Sequence, residues 1–427
     1  MKKMDYQNVK GTKDFLPGEE IVRRKVRRTL EDVFIQYGCQ PLETPILNYT
    51  DLLASKYAGG AEILEEMYQL SDRGERELAL RYDLTVPFAK AAAMNPSLKL
   101  PFKRYEIGKV FRDGPIKTGR LREFTQCDVD IVGVETQMGE AELMMMAADS
   151  FKKLEMNVTI EYNNRKLLNG LLSSFGIQAD DRESVILTLD KLNKIEVKGV
   201  ITELKEKQVS PQAISKIENF LNTEDNKEVG YFESYTGLNE ELDQGIKELK
   251  ELKGFIEYAG LQGQCIFNPF LARGLEIYSG TVYEIFIQGS GFTSSIGGGG
   301  RYDNAIGGLI GTEETFSTVG ISFGLDAVCA AMKEGASSGI TNVAVIDSYV
   351  IPLSREKEAL LVGRNLREKG ENVEVDLSGK KLNKAMKRAN ELKVRKVVIV
   401  GDDEVLKKQI NIKDMESGAE RTESFSF

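Results

Sequence analysis

The stretch from Phe111 to Asp130, FRDGPIKTGRLREFTQCDVD, limits what this chain can fold into more than any other segment. An apolar-alternating run ends at Arg112, and a polar loop with Gly114, Pro115 and Gly119 follows. A second run then carries Arg120, Arg122, Glu123, Gln126, Asp128 and Asp130. The pattern predicts two antiparallel strands around a loop, with Arg112, Gln126 and Asp130 at intervals that can share one face. Arginine suits a phosphate because its planar fork donates two hydrogen bonds at once, and a buried carboxylate suits a cationic or N–H-bearing ligand. On these residues alone, an ordinary hairpin with a charged, solvated face fits equally well.

The chain contains no histidine in 427 residues. At a usage of roughly two per cent about nine would be expected, so chance absence is on the order of one in ten thousand. No imidazole base, Ser-His triad or histidine metal ligand can therefore exist here. Any chemistry must rest on positioning and electrostatics, or on substrate-assisted proton transfer. The four cysteines, Cys39, Cys127, Cys265 and Cys329, have no CxxC spacing, which argues against structural zinc and a disulfide framework. The N-terminal MKKMDYQNVKGTKDF has no apolar core, and no apolar run approaches membrane-spanning length. A cytoplasmic protein without membrane contact is expected.

A chain this long predicts two or three domains. Residues 20–37 read as an amphipathic helix ending at Gly38, and residues 68–85 as paired strands turning at Arg73-Gly74. A helix is expected over 139–154 and a strand over 156–162. The lysine- and glutamate-rich texture of 165–253 predicts a helical insertion within a first domain spanning 1–330. The Gly/Ser-rich KEGASSGITN places a linker at 331–342. Beyond it, alternating strand and helix patterns predict an α/β domain over 343–427 with a parallel sheet. The chain is acidic overall, at −9, yet Lys380, Lys381, Lys384, Lys387, Arg388, Lys393, Arg395 and Lys396 crowd together against only Glu391. That cluster reads as a nucleic-acid footprint or as a solvated helix face.

Six blocks then follow one another: KGTKDFLPGE (Lys10–Glu19), YGCQPLETPIL (Tyr37–Leu47), LRYDLTVP (Leu80–Pro87), the arginine loop, LARGLEIYSGTVYE (Leu271–Glu284) and GGGGRYDN (Gly297–Asn304). In this order the chain resembles the histidyl-tRNA synthetases, a class II family, over essentially its whole length. LRYDLTVPFAK and REFTQCDVDI are similar to the eukaryotic branch, while the arginine-loop length looks bacterial. The resemblance implies an α+β catalytic domain, an antiparallel sheet flanked by helices, with the helical insertion and a C-terminal α/β anticodon-binding domain. It implies a homodimeric histidine–tRNA ligase that uses ATP and Mg²⁺, with histidine and histidine tRNA as partners and no protein-built metal site. By position, Asp83 and Thr85 would hold the substrate α-amino group, Gln126 would contact the substrate, and Asp130 and Tyr278 would read the imidazole. Tyr302 would close the pocket. Arg112 and Arg273 would flank the α-phosphate, and Arg120 would approach the outer phosphates. The helix before Gly38 and the segment around Pro45 would contribute to the dimer interface.

These roles agree with the chemistry. A carboxylate attacking phosphorus builds charge on phosphate oxygens that fixed arginines stabilise, and it arrives already ionised. Selecting imidazole calls for a buried acceptor that the wrong substrate leaves unpaired. The chain departs from the family pattern at three places. Asp326 and Ala327 stand where GLER is usual, Ile277 replaces one of two aromatics, and Thr125 occupies a site where histidine or tyrosine is common. Ala327 and Ile277 keep open a non-catalytic regulatory subunit of ATP phosphoribosyltransferase, against which the intact tail domain argues. A histidine- or tRNA-sensing module is the other alternative, against which retention of both phosphate arginines argues.

Overall fold

The computed structural model describes residues 6–54, 61–273, 277–289, 291–312, 314–334 and 346–427. The chain divides into two compact units, Met1–Ser337 and Ser338–Phe427. The first contains β1 (Gln40–Pro41), β2 (Leu47–Tyr49), β3 (Gln69–Ser71), β4 (Glu77–Leu80), β5 (Phe102–Phe111), β6 (Glu123–Val132), β7 (Val158–Asn164), β8 (Cys265–Phe267), β9 (Thr281–Ile287), β10 (Gly297–Arg301) and β11 (Thr318–Gly324). Eight of these form one sheet in the order β1-β5-β6-β11-β10-β9-β7-β8. It is antiparallel from β5 to β7, with a parallel pairing at each edge, β1 on β5 and β7 on β8. The hairpin expected around the arginine loop is its β5–β6 pair.

Strand alternation divides this sheet into a packed face and a chemical one. On β6, Cys127, Val129 and Ile131 are buried on one side, and Gln126, Asp128 and Asp130 take the other. The apolar side lies under the helices Pro17–Gln36, Met138–Lys153 and Leu325–Glu334. The first of these buries Arg23, Val26, Leu30, Val33 and Phe34, the spacing of an amphipathic helix. Phe34 stacks on Phe323 of β11 with ring centroids 5.8 Å apart, and Phe151 meets the same ring edge-on at 5.7 Å. Gly38, at φ +76°, ends the first helix, a conformation only glycine adopts freely.

A small sheet, β2-β4-β3, turns at Arg73-Gly74, where the Asp72 carboxylate accepts from the Gly74 N–H at 2.9 Å. The helical insertion begins with Arg165–Phe175 and ends with Glu240–Tyr258, running past residue 253. These two helices cross closely because both contacts are glycines. A Cβ on Gly170 would stand 2.5 Å from the Leu242 nitrogen, and one on Gly245 would meet the Leu167 backbone.

The second unit holds β12 (Ser348–Pro352), β13 (Val373–Val375), β14 (Lys396–Val400), β15 (Gln409–Asp414) and β16 (Glu420–Ser424), ordered β13-β12-β14-β15-β16. The strand–helix alternation makes β13, β12 and β14 parallel. The last two strands are antiparallel, so the sheet is mixed, where the sequence predicts a parallel one. The turn between β15 and β16 is too short for a crossover, which forces the antiparallel return. Val350, Val362, Leu366, Val398, Ile410 and Ile412 form its core. The helix Leu325–Glu334 continues through the start of the segment expected to be a linker, whose remainder lies outside the described residues.

Candidate active site

The chemical face is floored by glycine. Register aligns Gly108 with Gln126, Gln126 with Gly324, Asp130 with Gly320, and Gly320 with Gly300. Gly298, beside Ser322, completes the floor. Each missing side chain makes room for a functional one. A Cβ on Gly320 would strike the Asp130 carboxylate, one on Gly298 the Arg273 guanidinium, and one on Gly300 would lie 2.9 Å from the Tyr278 ring.

At one end sits a buried charged cluster. Asp130 accepts a hydrogen bond from the Tyr302 hydroxyl and pairs with Arg104 Nη2 at 2.6 Å. Arg104 is fully buried, donates to the Leu84 carbonyl at 3.0 Å, and lies 4.3 Å from the centroid of the Phe88 ring. Next to it, Arg81 binds Glu106 at 2.7 Å, and Glu106 accepts from Thr44. Burial raises the Asp130 carboxyl, against the pull of Arg104 and then Tyr302. Asp83 caps the helix Thr85–Ala93, its Oδ1 accepting from the Thr85 and Val86 N–H groups at 3.1 and 3.0 Å. Burial raises its carboxyl too, opposed by those N–H groups and by Arg112. Ile277 is partly buried and packs against the core cluster that contains Phe88, Tyr302 and Ile306.

At the other end are the arginines. Arg112 Nε donates to the Tyr82 carbonyl at 3.1 Å, and its guanidinium lies 4.1 Å from the Tyr82 ring centroid, beside Asp83. Arg273 donates to the Tyr283 carbonyl at 3.1 Å across Gly298, and its backbone is held at φ +39°. Strain of this kind concentrates at functional sites. Arg120 is half-exposed and pairs with Glu66 at 3.5 Å. The hairpin base is closed by residues to which the sequence assigned no role. The Arg122 N–H donates to the Gly11 carbonyl at 2.8 Å, and its side chain pairs with Asp113, so the KGT block seals the loop from below. Gly11 is needed there, since a Cβ would stand 2.6 Å from Arg122 Cγ.

Two of the three departures have structural explanations. Asp326 accepts from Arg23 and from the Thr125 N–H at 2.9 Å, tying the helix Leu325–Glu334 to the first helix and to β6. Thr125 alternates onto the packed face, away from the site. Ala327 lies under the arginine loop: a Cβ on Gly119 would stand 3.1 Å from Ala327 Cα and 3.2 Å from Phe292 Cζ. The loop's tip rests where a long side chain at 327 would have to emerge. Gly119 has φ +73°, so Gly119→Val strains the backbone and crowds this seat. It is expected to lower kcat/KM for ATP roughly 5- to 150-fold, the range of ~1–3 kcal/mol of strain. Calorimetric histidine binding, measured alongside, should not change.

The charged cluster also shows what the sequence reading missed. Arg104 and Glu106 alternate correctly for the site face of β5, and Asp128 lies between the two residues chosen on β6. Period-two spacing was the available signal. The histidyl-tRNA synthetase family profile matches residues 11–328, and an anticodon-binding-domain profile matches residues 347–426. The chain is 55% identical to histidine–tRNA ligase 2 of Shouchella clausii over 100% of both chains. It is 49% identical to histidine–tRNA ligase 1 of Bacillus cereus, over 98% of this chain and 97% of that one. The crystal structure of histidyl-tRNA synthetase from Nostoc sp. PCC 7120 superposes with a TM-score of 0.85 at 29% identity, covering 99% of this chain and 97% of that one. With the glycine floor, the paired arginines and the tail domain all in place, the chain belongs to the histidyl-tRNA synthetase family.

Proposed function

We propose that this chain, a histidine–tRNA ligase, activates histidine with ATP on the glycine-floored face and passes it to the 3′ end of histidine tRNA. The observation that carries the site assignment is the presence of two arginines and a set of buried acceptors over one flat floor. Histidine's carboxylate attacks the α-phosphorus, pyrophosphate leaves, and Arg112 and Arg273 neutralise the charge that grows on the phosphate oxygens. Arg120 steers the outer phosphates, and Mg²⁺ enters on them. Asp83 and Thr85 hold the α-amino group and Gln126 contacts the substrate. Asp130 and Tyr278 take the imidazole, with Tyr302 both closing the pocket and orienting Asp130. In the second step the terminal ribose hydroxyl of the tRNA attacks the carbonyl carbon. AMP leaves, and the adenylate's own phosphate can take the hydroxyl proton, so no imidazole is required.

A homodimer is supported by apolar side chains exposed in and beyond the first helix: Ile35 at 54%, Ile46 at 42%, Leu47 at 47% and Tyr49 at 58%. A cytoplasmic setting suits four free, buried cysteines, and among the described residues no helix is long and apolar enough to cross a membrane. In the tail, Arg388, Arg395 and Lys396 are paired with Glu374, Asp347 and Glu371. Lys380, Lys381 and Lys384 are exposed at the start of the helix Leu382–Glu391. They are the phosphate contacts this reading expects. Replacing all three with glutamine should weaken tRNA binding and reduce the slope of log K against log salt by about 2–3. An unchanged slope would make them a solvated face.

The regulatory alternative is set aside by full-length identity to ligases and by the matched anticodon domain. The experiment for the whole reading is ATP–pyrophosphate exchange on the purified protein. Exchange dependent on histidine alone is expected. Its absence from a folded protein that binds histidine would overturn the catalytic assignment.

A further inference from the structure

We propose that Asp128 is a further substrate-binding residue, whose Oδ1 accepts a hydrogen bond from the ammonium of the bound amino acid. The proposal rests on the site reading above. Asp128 is 2% exposed, and its Oδ1 is buried without a hydrogen-bond partner. Gln126 Oε1, two residues along the same strand and face, is likewise buried and unpartnered, while its Nε2 donates to Ser322 Oγ at 2.9 Å. Two adjacent bare acceptors on the site face suit a donor-rich ligand. Histidine offers such donors at its ammonium and its imidazole. Asp130, hydrogen-bonded by Tyr302 and ion-paired with Arg104, is assigned to the imidazole, which leaves Asp128, within the field of Asp83, for the ammonium.

The groups facing Asp128 fix its charge behaviour. They are Arg104 and Glu106 from β5, Asp130 and Gln126 from its own strand, Ser322 from β11, Tyr278, Tyr302 and Asp83. Burial dominates and, opposed mainly by Arg104, pushes the carboxyl up to about 8. The empty site therefore holds Asp128 largely protonated at neutral pH. An arriving ammonium favours the carboxylate, so one proton leaves to solvent, the ammonium keeps its three, and no covalent bond changes. Histidine binding must then tighten as pH rises from about 7 towards 8.

Asp128→Asn is nearly isosteric with the protonated form and should fold. Calorimetry with histidine, in buffers of different ionisation enthalpy, is the test. The native protein should release close to one proton at pH 7, and the variant none. The variant should bind about 10- to 100-fold more weakly at pH 8, the range of a lost charge-assisted hydrogen bond, and lose the pH slope. Equal affinity with an equal slope would overturn the role of Asp128 while leaving the site reading intact. No histidine binding by the native protein would overturn the site reading itself.

A different observation carries a second inference. We infer that the absence of histidine from this chain lets it be synthesised when charged histidine tRNA is exhausted, making it a reserve ligase. The codons of a histidine-free chain never wait for the product this enzyme makes. Nothing in the site needs an imidazole, so the composition leaves the chemistry intact. The chain also lacks tryptophan, which supplies a control. Gln212, Lys247 and Tyr258 are exposed helix positions, Tyr258 at 97%, and none carries a role assigned above. A triple histidine variant and a triple tryptophan variant, each checked for native exchange activity, should accumulate equally in rich medium. Under histidine limitation the histidine variant should fall several-fold behind the other. Equal accumulation would overturn the inference.

Discussion

Arg273→Gln is expected to slow histidyl-adenylate formation about 10²- to 10³-fold, the loss seen when one preorganised donor is removed from a charge-building transition state. The KM for histidine should stay within about threefold, because the lost interaction is made to phosphate oxygens as the α-phosphorus is attacked. The geometry explains the size of the effect. The side chain is 20% exposed, runs across Gly298, and is fixed by the Tyr283 carbonyl at 3.1 Å and by Glu284 at 3.9 Å. Its backbone sits at φ +39°, so the fold holds the guanidinium in place before any ligand arrives. Arg273→Lys keeps the charge without the planar fork and should recover only part of the rate. Arg112 stands at the same end of the floor, so Arg112→Gln should act on the same step. The double variant should lose less than the product of the two single losses if both serve one developing charge. Single-turnover pyrophosphate release measures all four. An Arg273→Gln rate within a few-fold of native would remove this side chain from the phosphate site.

The part of this site that the sequence made legible is the part written in one strand's alternation. Gln126 and Asp130 share a face because β6 is regular, and the loop between β5 and β6 was marked by Gly114, Pro115 and Gly119. Asp128 obeys the same alternation and was passed over because no partner in sequence distinguishes it from a solvated acid. Arg104 was invisible for another reason. Its ion pair with Asp130 depends on cross-strand register, which spacing within a strand does not determine. The first helix was readable from its apolar period, but Arg23 within it is buried only because Asp326, 303 residues away, meets it. The final hairpin of the tail was missed because β15 and β16 are largely polar and half-exposed, so neither has the apolar run that marked the parallel strands. Long-range charge pairing and edge strands are the features least encoded in local pattern.

Arg301 is the clearest case of such pairing, and its loss should be the most damaging to the fold. The residue closes the glycine run of β10 and is 3% exposed. Its Nε and Nη2 donate to the two oxygens of Glu140, each at 2.7 Å, and Glu140 is wholly buried in the first turn of the helix Met138–Lys153. Its Nη1 and Nη2 also reach the Val134 and Thr136 carbonyls at 3.0 and 3.2 Å, and Nη1 lies 3.4 Å from Asp303 Oδ1. One side chain thus joins the floor strand, the loop after β6 and a helix on the packed face. Arg301→Met would strand a buried carboxylate and two carbonyls, and should destabilise the first unit by about 3–5 kcal/mol. Glu140→Leu alone should do comparable harm by leaving the guanidinium unpaired. The two together remove both charges, and the double variant should recover much of the loss, since an apolar pair can match a buried ion pair. Because Tyr302 follows Arg301 and donates to Asp130, histidine binding should weaken in the single variants even where they remain folded. Urea unfolding of the four proteins gives the coupling directly. Losses that simply add would show that Arg301 and Glu140 stabilise the sheet independently, and that this bidentate pair is not what holds the floor to the helix.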